Sequence, residues 1–294
     1  MSSAAKRLFE QAKAGNSTAF AKLLTWLENS DPKQALALEE MLKPKRAASR
    51  FGITGPPGAG KSTLVSRLIQ FLRDEKLKIG VLAVDPSSPF TGGAILGDRI
   101  RYMEHTLDPN VFVRSIGTRG SLGGLSASAY LMLRAFDACD FDVVLIETVG
   151  VGQTELDVLH VADQVTVVLV PESGDSIQAM KAGLMEIADV FLVNKSDRPG
   201  ADSLAREIKI SVHEGESEKK PEVFSVVATE NKGLEPWFSF VRSHIDSDVA
   251  LKNRSNPKRL KEEAKSLLRL QWENEVSKRL AKIKSAKDLR SILS

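Results

Sequence analysis

"GITGPPGAGKSTLV", residues 52–65, reads as the end of a strand, a glycine-rich turn and the start of a helix. Gly55, four further residues and then Gly60-Lys61-Ser62 give the G-x-x-x-x-G-K-[ST] spacing of a phosphate-binding loop. Gly55, Gly58 and Gly60 allow the backbone to wrap phosphates with its N–H groups. Lys61 supplies a charge to the outer phosphates, and the helix that follows points its positive end at them. Ser62 is placed to ligate magnesium. An apolar strand, Phe51 to Thr54, leads into the loop, and the amphipathic "STLVSRLIQFLRD" leads out of it.

Outward from this loop the chain alternates between short β-branched runs and helix-length segments. The runs are "KIGVLAVD" (78–85), "VFVRSI" (111–116), "DVVLIET" (142–148), "QVTVVLV" (164–170), "VFLVN" (190–194) and "EVFSVVA" (222–228). Runs apolar on both faces, joined by helical crossovers, predict an α/β fold with a largely parallel sheet covered by helices on both sides. Ligands of such sheets sit outside the carboxyl ends of the strands. Residues 1–48 read as an N-terminal helical unit, with Phe9, Phe20, Leu23, Leu24 and Leu27 at helical spacing. Residues 49–245 form the nucleotide-binding domain. From 246 to 294 the strands stop and a helical extension carries Leu260, Ala264, Leu267, Leu268, Trp272, Val276 and Leu280 near one stripe.

The chain has 294 residues, 42% hydrophobic and 27% charged, with a net charge of +3. That composition belongs to an ordinary globular protein and does not call for a polyanionic partner. Cys139 is the single cysteine, so no disulfide forms within the chain and a reducing compartment fits. No apolar run is long enough to span a bilayer and the N-terminus lacks a signal-like apolar stretch, so the expectation is a cytoplasmic protein without membrane or nucleic-acid partners.

Acids mark the strand ends. Asp85 follows "VLAV", Asp98 sits in "GGAILGDRIR", and Glu147 closes "VVLI". A carboxylate ending an apolar strand needs a partner, and a magnesium ion also held by Ser62 supplies one. Glu147-Thr148-Val149-Gly150 has the form in which a glycine amide senses a γ-phosphate, and "GVGQ" follows as a segment suited to switching. "FLVNKSD" then places Asn194, Lys195 and Asp197 at another strand end. A carboxylate at 197 accepts from the two donors on one edge of guanine, which adenine does not present, and the stem of Lys195 lies over the ring. The nucleotide read from these residues is GTP.

Taken in order, these motifs resemble the MeaB/ArgK/MMAA family of G proteins, within the SIMIBI class of P-loop NTPases. The distinguishing stretches are residues 84–103 (here with Tyr102 before Met103), "ETVGVGQTE" (147–155) and "ESGDSIQAMKAGLMEIADVFLVNKSD" (172–197). The resemblance implies a GTPase that gates adenosylcobalamin loading and protects or reactivates an adenosylcobalamin-dependent acyl-CoA mutase, typically methylmalonyl-CoA mutase, without itself holding cobalamin. It implies phosphate contacts from Gly55, Pro56, Pro57, Gly58, Ala59, Gly60, Lys61, Ser62 and Thr63, a magnesium set of Ser62, Asp85, Asp98 and Glu147, and catalytic parts for Lys61, Glu147 and Lys181. Lys181 lies in "GDSIQAMK", which resembles the switch through which the mutase stimulates hydrolysis. It also implies a homodimer formed through the C-terminal arm. Near the base the family carries Ser-Ala-x, whereas this chain has Val227-Ala228-Thr229. The backbone amide of Ala228 is expected to reach guanine O6, but a side-chain contact at 227 is lost.

Two other enzyme-class readings share the phosphate loop. A metabolite kinase needs an acceptor pocket and ordinarily takes ATP, against the N-K-x-D constellation. A metal-delivery GTPase needs soft or imidazole ligands, whereas this chain has Cys139 and four scattered histidines, His105, His160, His213 and His244.

Overall fold

The computed structural model describes residues 3–85, 102–117, 127–148, 158, 160–173, 186–214 and 220–281. Within them the β-branched runs form seven strands: β1 (Ser49–Thr54), β2 (Ile79–Asp85), β3 (Val111–Gly117), β4 (Val143–Thr148), β5 (Gln164–Leu169), β6 (Val190–Val193) and β7 (Glu222–Ser225). Their order is β3-β2-β4-β1-β5-β6-β7, and every neighbouring pair is parallel. The parallel sheet read from the sequence is therefore present. β1 is the switch point: β2, β3 and β4 lie to one side of it, and β5, β6 and β7 to the other. Both β1 and β4 are buried at every position, and β4 accordingly begins with the unalternating apolar run Val143–Ile146, as parallel pairing under two helical layers requires.

The helices are α1 (Ser3–Lys13), α2 (Ser17–Asn29), α3 (Pro32–Leu36), α4 (Glu39–Leu42), α5 (Lys61–Asp74), α6 (Ala127–Ala138), α7 (Ala201–Glu214), α8 (Glu235–Ser243), α9 (Ser247–Arg254) and α10 (Pro257–Leu280). One face of the sheet packs against α6, α7 and the N-terminal helices. There Phe20 of α2 lies 4.7 Å from Phe112, 5.1 Å from Phe136 and 5.2 Å from Phe141, ring centre to ring centre. Residues 3–42 thus share one apolar core with the sheet. The other face packs against α5 and α8, with Trp237 fully buried and its indole N–H donating to Thr166 Oγ1 at 3.1 Å.

The helices after residue 245 are fastened to the amino-terminal end of β1. The Ser49 hydroxyl accepts from the Asp246 amide at 3.0 Å, and the Ser247 hydroxyl accepts from the Ala47 amide at 3.1 Å. Beside them, Asp163 accepts from Arg254 Nη1 and Nη2 at 2.8 and 3.0 Å, from Arg259 Nη1 at 3.2 Å and from the Arg50 amide at 2.9 Å. Of the apolar stripe read in α10, Leu267 is buried, whereas Leu268, Trp272 and Leu280 are 65%, 68% and 55% exposed. Among the described residues no helix is long and apolar enough to cross a membrane.

Asp163 sets an acid limit on this fold. Burial, the largest influence, would raise its pKa, but the hydrogen bonds and charges of Arg254 and Arg50 outweigh it and hold the carboxyl below the usual carboxylate value. A folded-state pKa below the unfolded one stabilises at pH above the unfolded value, about 3.9, and that stabilisation is lost as pH falls through the folded value. Asp163→Asn is expected to lower unfolding free energy by about 3–5 kcal/mol near neutral pH, because it leaves buried arginines uncompensated. Urea denaturation from pH 7 downward should show that deficit constant to about pH 5 and shrinking below about pH 4.

Candidate nucleotide site

At the carboxyl ends of the central strands, β1 turns into the phosphate loop. Gly55 has φ 140°, and a Cβ there would lie 2.1 Å from the Val168 carbonyl oxygen of β5. The loop is therefore drawn against a neighbouring strand, which a side chain would prevent. Gly60 has φ 89°, and a Cβ there would meet the Asn194 side-chain nitrogen at 2.4 Å. Both glycines of the motif's frame are thus dictated by contacts within the protein as well as by phosphate approach.

Lys61 is buried at the first turn of α5, and its ammonium donates to the carbonyls of Gly55 at 2.7 Å and Pro56 at 2.9 Å. The amine is held over the loop where outer phosphates would lie. The next residue, Ser62, donates from Oγ to Glu147 Oε1 at 2.6 Å. Glu147 is paired in register with Ile53 of β1 and Ala83 of β2, so it stands between the phosphate-loop strand and the strand ending at Asp85. The Tyr102 hydroxyl donates to Glu147 Oε2. One rung further, the Thr148 hydroxyl donates to Thr54 Oγ1 at 2.9 Å, tying the ends of β4 and β1. Pro57, Gly58, Lys61, Ser62, Thr63 and Glu147 line a cavity of about 530 Å³. An all-oxygen pair of hydroxyl and carboxylate at this position suits magnesium.

The base-reading segment follows β6. Asn194 is buried and its side chain is a bridge: Nδ2 donates to the Ala59 carbonyl at 2.8 Å, and Oδ1 accepts from the Ala228 amide at 3.1 Å. The Ala228 amide, which the sequence reading directs to guanine O6, donates to Asn194 instead. Lys195 takes the left-handed conformation with φ 56°, and the Ser196 amide donates to the Val226 carbonyl at 3.1 Å. This turn leaves Asp197 exposed. Val227 is buried and exchanges backbone hydrogen bonds with Lys232, while Thr229 is exposed in the 3-10 turn Ala228–Glu230.

Of the residues read from the sequence, Gly55–Thr63, Glu147, Asn194, Lys195, Asp197 and Val227–Thr229 are described and stand along the carboxyl ends of β1, β4, β6 and β7. Asp98, Gly150 and Lys181 lie outside the described residues, as does the side chain of Asp85, whose backbone ends β2. Tyr102 was missed: nothing in its spacing sets it apart from a core aromatic. Also missed was the adjacent cluster in which the Ser66 hydroxyl donates to Glu104 and lies 2.6 Å from His105 Nε2. Burial lowers the pKa of His105, against the opposing charges of Glu104 and Asp108, which favours the neutral ring. Cys139 is buried, and burial pushes its thiol up to about 12, in keeping with a core residue.

Several known proteins are similar to this chain. The family model described as methylmalonyl Co-A mutase-associated GTPase MeaB matches residues 20–285. A putative GTPase of Pyrococcus abyssi is 45% identical over 270 residues, which cover 89% of this chain and 83% of that protein. GTPase ArgK of Escherichia coli is 36% identical over 244 residues, covering 78% of this chain and 72% of that one. The crystal structure of a LAO/AO transport system kinase superposes with a TM-score of 0.69 at 24% identity, over 99% of this chain and 97% of that chain, and shares the fold.

Two substitutions test the site. Asn194→Ala leaves a buried carbonyl and a buried amide without their partner, a loss of about 1–3 kcal/mol each, and should weaken GDP binding at least about tenfold in a fluorescent-nucleotide titration. Glu147→Gln keeps the shape but removes the charge. It should raise the magnesium concentration for half-maximal GTP turnover by about tenfold or more while leaving metal-free GDP binding near wild type.

Proposed function

The chain belongs to the methylmalonyl Co-A mutase-associated GTPase MeaB family, and we propose that it hydrolyses GTP to gate adenosylcobalamin loading into an acyl-CoA mutase. The client is methylmalonyl-CoA mutase or a close relative, which the chain also protects or reactivates. The observation that carries this reading is the family match across residues 20–285, within which this chain has its phosphate loop, Glu147 and Asn194-Lys195-Ser196-Asp197 in that order.

In this reading Gly55–Thr63 cradle the phosphates and Lys61 exchanges its carbonyl partners for phosphate oxygens. Ser62, Asp85, Asp98 and Glu147 would hold magnesium, which when bound would supply positive charge to neutralise that developing on the phosphate oxygens. Asp197 accepts from guanine, the Lys195 stem covers the ring, and Asn194 fixes the two loops between which the base lies. The amide reaching guanine O6 then comes from Thr229, the exposed residue after Ala228. Gly150 senses the γ-phosphate, and Lys181 supplies the cation that completes the transition-state contacts when the mutase is bound. The protein acts in the cytoplasm as a homodimer, for which the exposed Leu268, Trp272 and Leu280 of α10 offer an apolar surface.

GTP turnover of wild type and Lys181→Ala, each with and without the mutase, tests the coupling. Nearly equal basal rates and a stimulation lost in Lys181→Ala, with complex formation retained, are expected. The lost factor should be on the order of 10³, the scale of a supplied cation in phosphoryl transfer. Full stimulation of Lys181→Ala would remove this residue from the mechanism. Independently, Asp197→Asn should shift preference from guanine to xanthine nucleotides, whose C2 carbonyl presents an acceptor, as a competition titration would show.

A further inference from the structure

A second cavity, of about 430 Å³, opens at the amino-terminal end of β1, between α4, α6, α9 and α10. It is the opposite end of the strand that feeds the phosphate loop. Its wall carries Lys43, Arg50, Arg134 and Arg254 against two carboxylates, Asp137 and Glu263. Both carboxylates are already engaged. Asp137 accepts from Arg50 Nη2 and, through Oδ1, from the Ala48 amide at 3.1 Å. Glu263 takes Arg134 in a two-pronged pair, through Nε and through Nη2 at 2.7 Å. The Nη groups of Arg254 are spent on Asp163 and on the Ala48 carbonyl at 2.8 Å.

Cation density at this point exceeds what the protein's own acids satisfy. Arg50, with a side chain 6% exposed, has a buried Nε with no hydrogen-bond acceptor, whereas the Nε of Arg254 lies 3.4 Å from Asp137 Oδ2 in an ion pair. Burial, and then the neighbouring charge of Arg254, push the Arg50 guanidinium down to about 10. Two buried arginines that repel one another, with an unsatisfied donor on Arg50, cost stability unless an anion shares them. Apart from Ser255, the rest of the lining is apolar or aromatic and includes Leu42, Tyr130, Leu251 and Leu260. The volume lies in the range of small-ligand sites.

We infer that this cavity is a second ligand site, separate from the nucleotide, that takes a small organic anion: a carboxylate or phosphate joined to a short apolar group. The anion sits among the guanidinium groups of Arg50, Arg134 and Arg254, where charge-assisted bonds are strong, and the apolar group lies against Leu42, Leu251 and Leu260. Because α4, α9 and α10 all line this cavity beside β1, occupancy fastens the terminal helices to the strand that leads to Gly55.

The experiment uses the full chain with the phosphate loop saturated by GDP and magnesium, so that added anions cannot report on that loop. Butyl phosphate, butanoate and inorganic phosphate are titrated calorimetrically into wild type, Leu260→Trp, which fills the cavity from its half-exposed rim, and Arg50→Met. Saturable one-site binding of butyl phosphate or butanoate to wild type is expected, with the better of the two naming the head group and inorganic phosphate at least about tenfold weaker for want of an apolar contact. Leu260→Trp and Arg50→Met should each weaken that binding about tenfold or more. If Arg50→Met does not fold, Leu260→Trp alone decides. The inference is overturned if neither organic anion saturates below about 10 mM, or if Leu260→Trp binds as wild type does, in which case the arginines serve only to join helices to the sheet.

Discussion

The side-chain amide of Asn194 joins two loops that the sequence holds far apart. Its nitrogen donates to the Ala59 carbonyl within the phosphate loop, and its oxygen accepts from the Ala228 amide beyond β7. In the proposed reading a nucleotide spans this distance, with phosphates at one loop and base at the other. Its two halves can be read together only if the loops keep a fixed separation. A buried amide with both ends satisfied supplies that rigidity, and Gly60 is forced to be glycine because the same amide passes where a Cβ would stand. The fold places Asn194 there without further devices, since β6 ends beside β5 and β5 beside β1.

The two ends of the sheet show opposite solutions to buried polarity. At the carboxyl end, polar groups pair with one another in a set that leaves room for phosphate and metal: Ser62 and Tyr102 on Glu147, Lys61 on loop carbonyls. At the amino end, arginines and carboxylates knit α9 and α10 to β1 through Asp137 and Asp163. That network explains how a helical extension with few buried apolar residues of its own stays docked: charge pairing with geometric specificity does what an amphipathic stripe does elsewhere. The apolar residues that α10 leaves exposed are those farther along the helix, past Leu267.

Much of this was legible in the residues alone. The strands were found because parallel sheets buried on both faces leave continuous β-branched runs, and the phosphate loop because its glycines, lysine and serine are spaced by backbone geometry. Glu147 was legible as an acid ending an apolar strand. The partners of these groups were not. Tyr102 reaches Glu147 from a segment whose position is set by tertiary packing. The bridge made by Asn194 depends on where three loops meet, and neither leaves a periodic trace. For the same reason the Ala228 amide was assigned to the base when a side chain next to the phosphate loop had already taken it. The arginine cluster was invisible too. Arg50, Asp137, Asp163 and Arg254 are scattered over more than half of the chain, and in a sequence each reads as a solvated charge.

A direct competition of GDP against ADP for the wild-type protein, at fixed magnesium and salt, tests the central claim that the loops joined by Asn194 form a guanine-specific site. The account predicts GDP bound at least about a hundredfold more tightly, a difference of about 2.7 kcal/mol, because adenine leaves the Asp197 carboxylate facing no donor. Equal affinity for the two nucleotides would contradict it.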